Sequence, residues 1–429
     1  MVATTTPREG AVLDRRTLNR SLLRRQFLLR RAEVTAAEAI EHLVGLQAQV
    51  PQDPYTGLWS RVAGFAPGEL SGLLARREAV RIGLMRWTIH LVTTRDCLAL
   101  RPVMQQAIEQ RLRGNFRQAL AGLDLDDVAR AARPLLDEEP MTTSRLGERL
   151  RERWPDRDRL ALGVAAAARL PLVQPPPRGL WRTPGAARHV PAASWLADHP
   201  EAARLGDRPA PAAADDATDA ADAADAAAEK AAAAQGAAVH RYLTAFGPAS
   251  AADIAVWSGL TGVRTIIGRL RGRLVSYRDE RGTELYDVPG APFPDPDVPA
   301  PPRFLPQYDN ALLSHDDRAR VFRTDEDRAR VLYSGRERRG TYLVDGFLHG
   351  TWRFDERRDR ATLTVEPYEP FRRARGHDEA GEVEEEAARL LRFLAEAPAG
   401  EPARTGAPTV LGTVGAPEPM VLAVMRTGR

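Results

Sequence analysis

The sequence predicts an α+β protein with three tandem winged-helix units followed by a C-terminal β-barrel-like domain. Three times along the 429 residues, short amphipathic helices are followed by a pair of strand-like runs, which is the element order of a winged helix. After residue 300 the pattern changes to short apolar runs separated by glycine, which is typical of a small sheet or barrel. A chain of this length has room for several domains.

The first unit is predicted at 15–122. Its first helix covers Leu18 to Leu29, and the second starts at the N-cap Thr35, where Glu38 completes a capping box, and ends at Gln47. Two more helices and two strands follow, over Pro54 to Val62, Pro67 to Arg76, Ala79 to Met85 and Thr88 to Thr93. The dipeptide that separates the two strands is Arg86-Trp87.

A second unit is predicted at 123–199 and a third at 236–300. The wing strands expected for the second are Leu172 to Gln174 and Gly179 to Arg182, and those for the third are Leu274 to Tyr277 and Glu284 to Val288. Between the two units, 200–235 is rich in Ala, Asp and Pro and has too few large apolar residues to build a core. We interpret it as a linker or insertion that could include a lone helix. The barrel-like domain takes 301–429, with strand-like runs that include Arg320 to Phe322.

Composition limits the chemistry. The 61 basic residues include a single lysine, Lys230, so an ordered Schiff-base lysine is not expected. Cys97 is the only cysteine, and the eight histidines show no metal-binding spacing. We therefore expect no disulfide, no metal and no other cofactor. No apolar run is long enough to cross a membrane and no signal peptide precedes the first unit, so we expect a soluble, cytoplasmic protein.

Two glutamines, Gln47 and Gln49, stand out at the end of the second predicted helix. Side chains at i and i+2 diverge on a helix, but they can converge if the helix ends between them. Pro51 favours that ending, because a proline disfavours the helical conformation of the residue before it. The two amides would then lie at a helix-to-loop corner where a pocket can form. The alternative is an ordinary polar helix end with two solvated glutamines.

Four short motifs in this order resemble the winged-helix DNA glycosylases typified by AlkZ and YcaQ. The resemblance runs from about Leu18 to the C-terminus. The motifs are Gly45-Leu46-Gln47-Ala48-Gln49, Met85-Arg86-Trp87-Thr88-Ile89-His90-Leu91-Val92, Leu305-Pro306-Gln307-Tyr308-Asp309-Asn310 with Leu313-Ser314-His315, and Val344-Asp345-Gly346-Phe347 with Gly350-Thr351-Trp352.

The resemblance implies an enzyme that hydrolyses the N-glycosidic bond of N7-alkylated purines in double-stranded DNA. The family's catalytic motif is Gln, an aliphatic residue, then Gln or Asp, which Gln47 and Gln49 match with Ala48 between them. A monofunctional glycosylase without lyase activity is expected, since the chain offers only Lys230 for a Schiff base. Unhooking of interstrand crosslinks, in general repair or in self-resistance to a genotoxin, is also implied. With DNA as its partner and no protein partner predicted, we expect a monomer associated with the nucleoid.

Other candidate DNA-binding or pocket residues are less specific. Arg86, Trp87 and His90 match a family stretch, although His90 could equally be a satisfied core histidine. Asp309 and Asn310 either line the same cleft or cap a turn. The third helix of the third unit carries Arg264 and three further arginines on a face that either contacts DNA or is solvated, and Arg353 lies in a basic hairpin that could contact the DNA backbone.

Two readings compete with a glycosylase. The first is a non-catalytic regulator, because winged helices most often bind DNA in transcription. It explains the helices and the arginines, but it leaves the paired glutamines and the large C-terminal domain unexplained. The second is a sensor of damaged or crosslinked DNA that has lost catalysis. The sequence alone does not identify the lesion.

Overall fold

The computed structural model describes residues 4–202, 217–332, 339–357, 360–374, 377–396, 409–410 and 419–425. Part of the predicted insertion, 203–216, lies outside these ranges. Across the described ranges helices and antiparallel sheets alternate along the chain, which agrees with the predicted α+β class.

The helices are short, apart from two long ones at Thr94–Phe116 and Ala217–Phe246. In chain order they are α1 Arg15–Arg25, α2 Ala36–His42, α3 Asp53–Trp59, α4 Pro67–Ala75, α5 Thr94–Phe116, α6 Leu125–Glu138, α7 Thr143–Leu150, α8 Arg159–Arg169, α9 Ala192–Trp195, α10 Ala217–Phe246, α11 Ala251–Ser258, α12 Val263–Leu270, α13 Asn310–Leu313, α14 Asp325–Leu332 and α15 Glu379–Leu394.

The strands are mostly of two to five residues, except in the C-terminal part. They are β1 Thr4–Thr5, β2 Val12–Leu13, β3 Leu46–Gln47, β4 Ala79–Gly83, β5 Ile89–Thr93, β6 Met141–Thr142, β7 Leu172–Val173, β8 Arg188–Pro191, β9 Val275–Asp279, β10 Glu284–Asp287, β11 Phe293–Pro294, β12 Arg303–Leu305, β13 Gly340–Val344, β14 Phe347–Glu356, β15 Arg360–Pro367, β16 Arg373–Ala374, β17 His377–Asp378, β18 Thr409–Val410 and β19 Met420–Met425.

One antiparallel sheet joins the first two predicted units. Its strand order is β3-β5-β4-β7-β8-β6, and the two units meet where Ile82 of β4 pairs with Val173 of β7. The predicted hairpin of the first unit is present as β4 and β5. The predicted strand Gly179 to Arg182 is wrong, because this segment forms turns and β8 pairs with β7 instead. There Trp181 is buried against Tyr55 and Phe393.

The third predicted unit contains the expected helices and hairpin. α11 begins with a capping box formed by Ser250 and Asp253, and β9 pairs with β10 and also with β2 near the N-terminus. The preceding helix, α10, starts inside the Ala/Asp-rich stretch and runs without a break across the proposed boundary at residue 235. The division of the chain into domains stays a prediction.

The C-terminal part contains an open six-stranded antiparallel sheet in the order β12-β13-β14-β15-β19-β18. Among the described residues it does not close into a barrel, so the structure gives a sheet packed by α15 rather than the predicted barrel-like domain. The predicted strand at Arg320 to Phe322 is wrong, because these residues form a turn stabilised by Val321 N and Phe322 N bonding to Arg318 O.

The hydrophobic core is continuous between the predicted units. One buried cluster includes Val80 from the first unit, Leu146 from the second and Trp257 from the third. Searched over the described ranges, the chain has no helix that is both long and apolar enough to span a membrane.

Close packing of α7 on α8 requires glycine. A Cβ atom at Gly147 would overlap the carbonyl oxygen of Arg159, so we expect Gly147→Ala to lower the free energy of unfolding by about 1–3 kcal/mol through overpacking. Gly114 in α5 is the matched control, because a Cβ there meets nothing within 4 Å. Gly114→Ala should be stabilising by about 0.5–1 kcal/mol. Urea unfolding of both variants tests this, and equal stabilities would contradict it.

Candidate active site

Gln47 lies on the short strand β3 and Gln49 lies in the bend that follows it, so neither glutamine is at the end of a helix. α2 ends at His42, and Val44 and Gly45 then adopt left-handed backbone conformations with φ of 54° and 90°. Gly45 N closes the helix end by donating to Ile40 O at 2.9 Å. The prediction that the helix continues to Gln47 is wrong, because this turn ends the helix several residues before Pro51.

Gly45 is also required by the strand beside it. A Cβ atom there would lie 2.7 Å from Val92 Cγ1 and 3.0 Å from Leu91 O, both in β5. The close approach lets the next two residues, Leu46 and Gln47, pair with Leu91 and His90. Gln47 is thereby fixed on the edge of the β4–β5 hairpin, with 7% of its surface exposed.

The tip of this hairpin is strained. Thr88 N donates to Met85 O at 3.1 Å, and the two residues between them, Arg86 and Trp87, have φ of 55° and 52°. Two left-handed central residues are the geometry of a type I′ turn, which favours Asn-Gly. Such conformations cost about 1–3 kcal/mol for each non-glycine residue, so contacts of the side chains must offset them.

Arg86 supplies these contacts. Its guanidinium donates to Gln47 Oε1 at 2.8 Å, to Asn310 Oδ1 at 3.2 Å and to the carbonyl oxygen of Trp257 at 3.2 Å. Asn310 Nδ2 in turn donates to Gly45 O at 3.2 Å. These hydrogen bonds link Gln47 through Arg86 and Asn310 to Gly45, and the backbone from Gly45 to Gln47 closes the circuit, which we call the amide ring.

Gln49 occupies a different environment from Gln47. It is exposed, and its Oε1 accepts from the backbone N–H of Ile89 at 3.2 Å. Ala48, between the two glutamines, donates its N–H to Ile89 O at 2.7 Å. Both glutamines are therefore held against the start of β5, one buried and one facing solvent.

Charge at the site is carried by arginine. Burial, and then the nearby Arg318, lowers the pKa of Arg86 to about 10, so its guanidinium is protonated at neutral pH. His90 is fully buried, and burial together with the charge on Arg86 lowers its pKa to about 3. Its Nδ1 lies 3.0 Å from Thr88 O. His90 is thus a neutral buried histidine, but it is not the fully satisfied one of the bland alternative, because its Nε2 has no hydrogen-bond partner among the described residues.

Asp309 does not face the glutamines. Its carboxylate forms a buried ion pair with Arg61, with N–O distances of 2.7 and 2.8 Å, and also caps α13 by accepting from Ala311 N at 2.9 Å. The capping alternative is the one that the structure shows. Asn310, the next residue, is part of the amide ring, so the two residues of this motif have separate positions.

The remaining predicted residues lie outside the amide ring. Trp87 is half-buried, with its indole against Gly83. Arg264 is exposed on α12, and Arg353 is exposed on β14, with Nε 3.8 Å from Asp355.

Sequence reasoning missed Arg81, which is buried in β4 and donates from Nη2 to Ala48 O at 2.8 Å. An arginine inside an apolar strand pattern was the available signal.

No metal centre is present among the residues that the structure describes, since no three His, Cys, Asp or Glu side chains come together there. The site therefore offers two neutral amides, the half-buried guanidinium of Arg86, the buried guanidinium of Arg81 and backbone groups. Such groups can orient a water molecule and stabilise charge, but they are weak acids and bases.

Comparison with known families assigns the chain. The model of the family described as "DNA glycosylase AlkZ-like" matches residues 40–393, which include every member of the amide ring. The chain belongs to the AlkZ-like DNA glycosylase family. The predicted family resemblance is confirmed, and AlkZ-like membership supports a DNA glycosylase acting on DNA.

A solved structure has the same fold as this AlkZ-like chain. The Streptomyces sahachiroi DNA glycosylase AlkZ superposes with a TM-score of 0.62 at 18% sequence identity, covering 89% of this chain and 97% of that one. No curated protein sequence matches the chain. At this identity the likeness concerns the fold alone.

The buried state of His90 predicts a pH dependence of stability. Its pKa is about 3 in the folded AlkZ-like chain and about 6.5 in an unfolded one. The unfolded state therefore binds a proton first as pH falls, and stability decreases from pH 6.5 towards 3. Between pH 7 and 5 this contribution falls by about 2 kcal/mol. In urea unfolding, the stability that His90→Gln loses between pH 7 and 5 should be smaller than the loss of the intact protein by that amount. Equal losses in the two proteins would refute the neutral, buried state of His90.

Proposed function

We propose that the protein is a monofunctional DNA glycosylase that hydrolyses the N-glycosidic bond of N7-alkylated purines in duplex DNA, with Gln47 and Gln49 as its catalytic residues. The observation that carries this proposal is the placement of the two amides. Both flank Ala48 and both are held by hydrogen bonds to the β4–β5 hairpin, and membership of a DNA glycosylase family supplies the reaction class.

The chemistry of the lesion suits neutral amides. An N7-alkylated purine carries a positive charge, so it leaves as a neutral base without a general acid. The enzyme then has to stabilise an oxocarbenium-like sugar and to position a water molecule. Amide carbonyls can accept from that water or face the developing charge, and amide N–H groups can donate.

The ionisable groups near the glutamines favour this limited chemistry. His90 is neutral, with a pKa of about 3, and is therefore a poor general acid. The carboxylate of Asp309 is occupied by Arg61. Because strong acids and bases are lacking in the amide ring, we expect normal purines, whose departure needs protonation, to be left in place.

We expect no lyase activity. A bifunctional glycosylase forms a Schiff base between an amine and the sugar, and the only lysine in the sequence is Lys230, which is exposed on the alanine-rich helix α10. Borohydride treatment during the reaction should therefore trap no covalent adduct with DNA.

DNA binding is proposed to use exposed arginines. Arg264, Arg269, Arg271 and Arg273 lie exposed on α12 and the turn after it, and Arg353 is exposed on β14. Arginine contacts to phosphate give affinity and orientation but little sequence preference, which suits an enzyme that searches for lesions. Crosslinks that join two N7 positions carry the same charge at each attachment, so unhooking in repair or self-resistance follows from the same chemistry.

Base release tests the proposal directly. On duplex DNA with a single N7-methylguanine, the intact protein should produce an abasic site, and Gln47→Ala and Gln49→Ala should each lower the single-turnover rate by about 10²–10³-fold, as for loss of one positioned catalytic amide. DNA affinity should be retained. Gln106→Ala, a change of an exposed glutamine on α5, is the matched control and should react at the normal rate.

Two results would overturn the proposed function. The first is binding of duplex DNA by the intact protein without release of base from monoadducted or crosslinked substrates, which would favour a regulator or a damage sensor. The second is release of undamaged adenine or guanine, which would show that leaving-group charge is not required.

A further inference from the structure

The orientation of the Gln47 amide is determined by its partner. The oxygen and nitrogen of a glutamine amide are distinguished only by the groups that they contact. A guanidinium has donors and no acceptor, so the end of Gln47 that lies 2.8 Å from Arg86 Nη2 must be Oε1. The amide nitrogen is consequently turned away from Arg86, and it has no hydrogen-bond partner among the residues described.

Arg86 cannot easily rotate away from this position. Its Nη1 donates to Trp257 O, and its Nη2 donates to both Asn310 Oδ1 and Gln47 Oε1. Asn310 is itself oriented, because its Nδ2 donates to Gly45 O at 3.2 Å. Two distant parts of the chain, at Trp257 and Asn310, thus hold the Arg86 guanidinium, and that guanidinium holds the Gln47 amide.

We propose that Arg86 is a positioning residue that turns the Gln47 carbonyl inward and presents its Nε2 donor to the substrate, leaving Gln49 as the acceptor for water. This inference rests on the proposed function and assigns different roles to the two glutamines. Arg86 does not contact the substrate in this assignment but acts through Gln47.

The environment of Gln49 fits the acceptor role. Its Oε1 receives one backbone N–H, from Ile89, at 3.2 Å, and an amide oxygen has a second lone pair. The residue is exposed, and among the described residues this backbone N–H is the one hydrogen-bond donor to its oxygen. A water molecule can therefore donate to Gln49, whereas the carbonyl of Gln47 is polarised by the half-buried guanidinium of Arg86.

The backbone at Arg86 makes a clean variant available. With φ of 55° this position is strained for arginine and free for glycine, so Arg86→Gly removes the guanidinium while it suits the turn. Arg77 provides the matched control, because it is another arginine with a left-handed backbone, φ 63°, and its side chain donates to Trp195 O outside the amide ring.

The test is a double-mutant cycle on single-turnover base release from N7-methylguanine duplex DNA. Arg86→Gly should lower the rate about 10–100-fold, as expected for a misplaced catalytic group, with DNA affinity unchanged. In the Gln47→Ala background the same change should lower the rate less than threefold, because the amide it positions is gone. Arg77→Gly should leave the rate unchanged in both backgrounds.

Gln47→Glu tests the direction of the hydrogen bond. A glutamate keeps an oxygen for Arg86 but replaces the Nε2 donor with a second oxygen. We expect its base-release rate to fall as far as that of Gln47→Ala, while the thermal midpoint is maintained by the pairing with Arg86. A rate equal to or above that of the intact protein would overturn the donor role of Gln47.

The outcomes separate this inference from the proposed function. If the intact protein releases base but the losses from Arg86→Gly and Gln47→Ala multiply in the double variant, the positioning role is wrong and the glycosylase stands. If the intact protein releases no base from any alkylated duplex, the glycosylase fails and the inference falls with it.

Discussion

The buried ion pair between Arg61 and Asp309 fixes the C-terminal half of the chain against its first helices. Both side chains are almost inaccessible, at 0% and 1% exposure, and removing one partner of such a pair typically costs about 3–5 kcal/mol because the other charge is left buried. Asp309 also caps α13, so the pair places Asn310, the first residue of that helix, beside Arg86. The amide ring therefore depends on an interaction outside it.

Local patterns in the sequence predicted much of the fold. The capping box of Thr35 and Glu38 and the hairpin of β4 and β5 are present, because each depends on residues close in sequence. The end of α2 was mispredicted because the prediction relied on Pro51 as the signal that ends the helix. The helix ends earlier, at a left-handed turn of Val44 and Gly45 that lies against β5. The strand that pairs with Leu46 and Gln47 is more than 40 residues away in sequence. The residues around the glutamines therefore give no local pattern that would predict this pairing.

The sequence pointed to residues of the candidate site but not to the hydrogen bonds that join them. The motifs contained Gln47, Arg86 and Asn310, yet nothing in their spacing indicated that a single guanidinium would join them. A half-buried cation beside an amide that is proposed to be catalytic has opposing effects. It raises the local positive potential where a cationic sugar is proposed to form, but it also fixes an otherwise mobile side chain. Because His90 is neutral, it adds no further positive charge beside Arg86.

The spread of the amide ring along the chain bears on how the site matures. Gln47 and Arg86 are 39 residues apart, whereas Arg86 and Asn310 are separated by 224. The segment with both glutamines and the β4–β5 hairpin can assemble early in synthesis, but the circuit closes only after residue 310 has left the ribosome and a long loop has been closed. A nascent chain would thus carry both glutamines well before the Gln47 amide is fully oriented, so the amide ring is completed only late in synthesis.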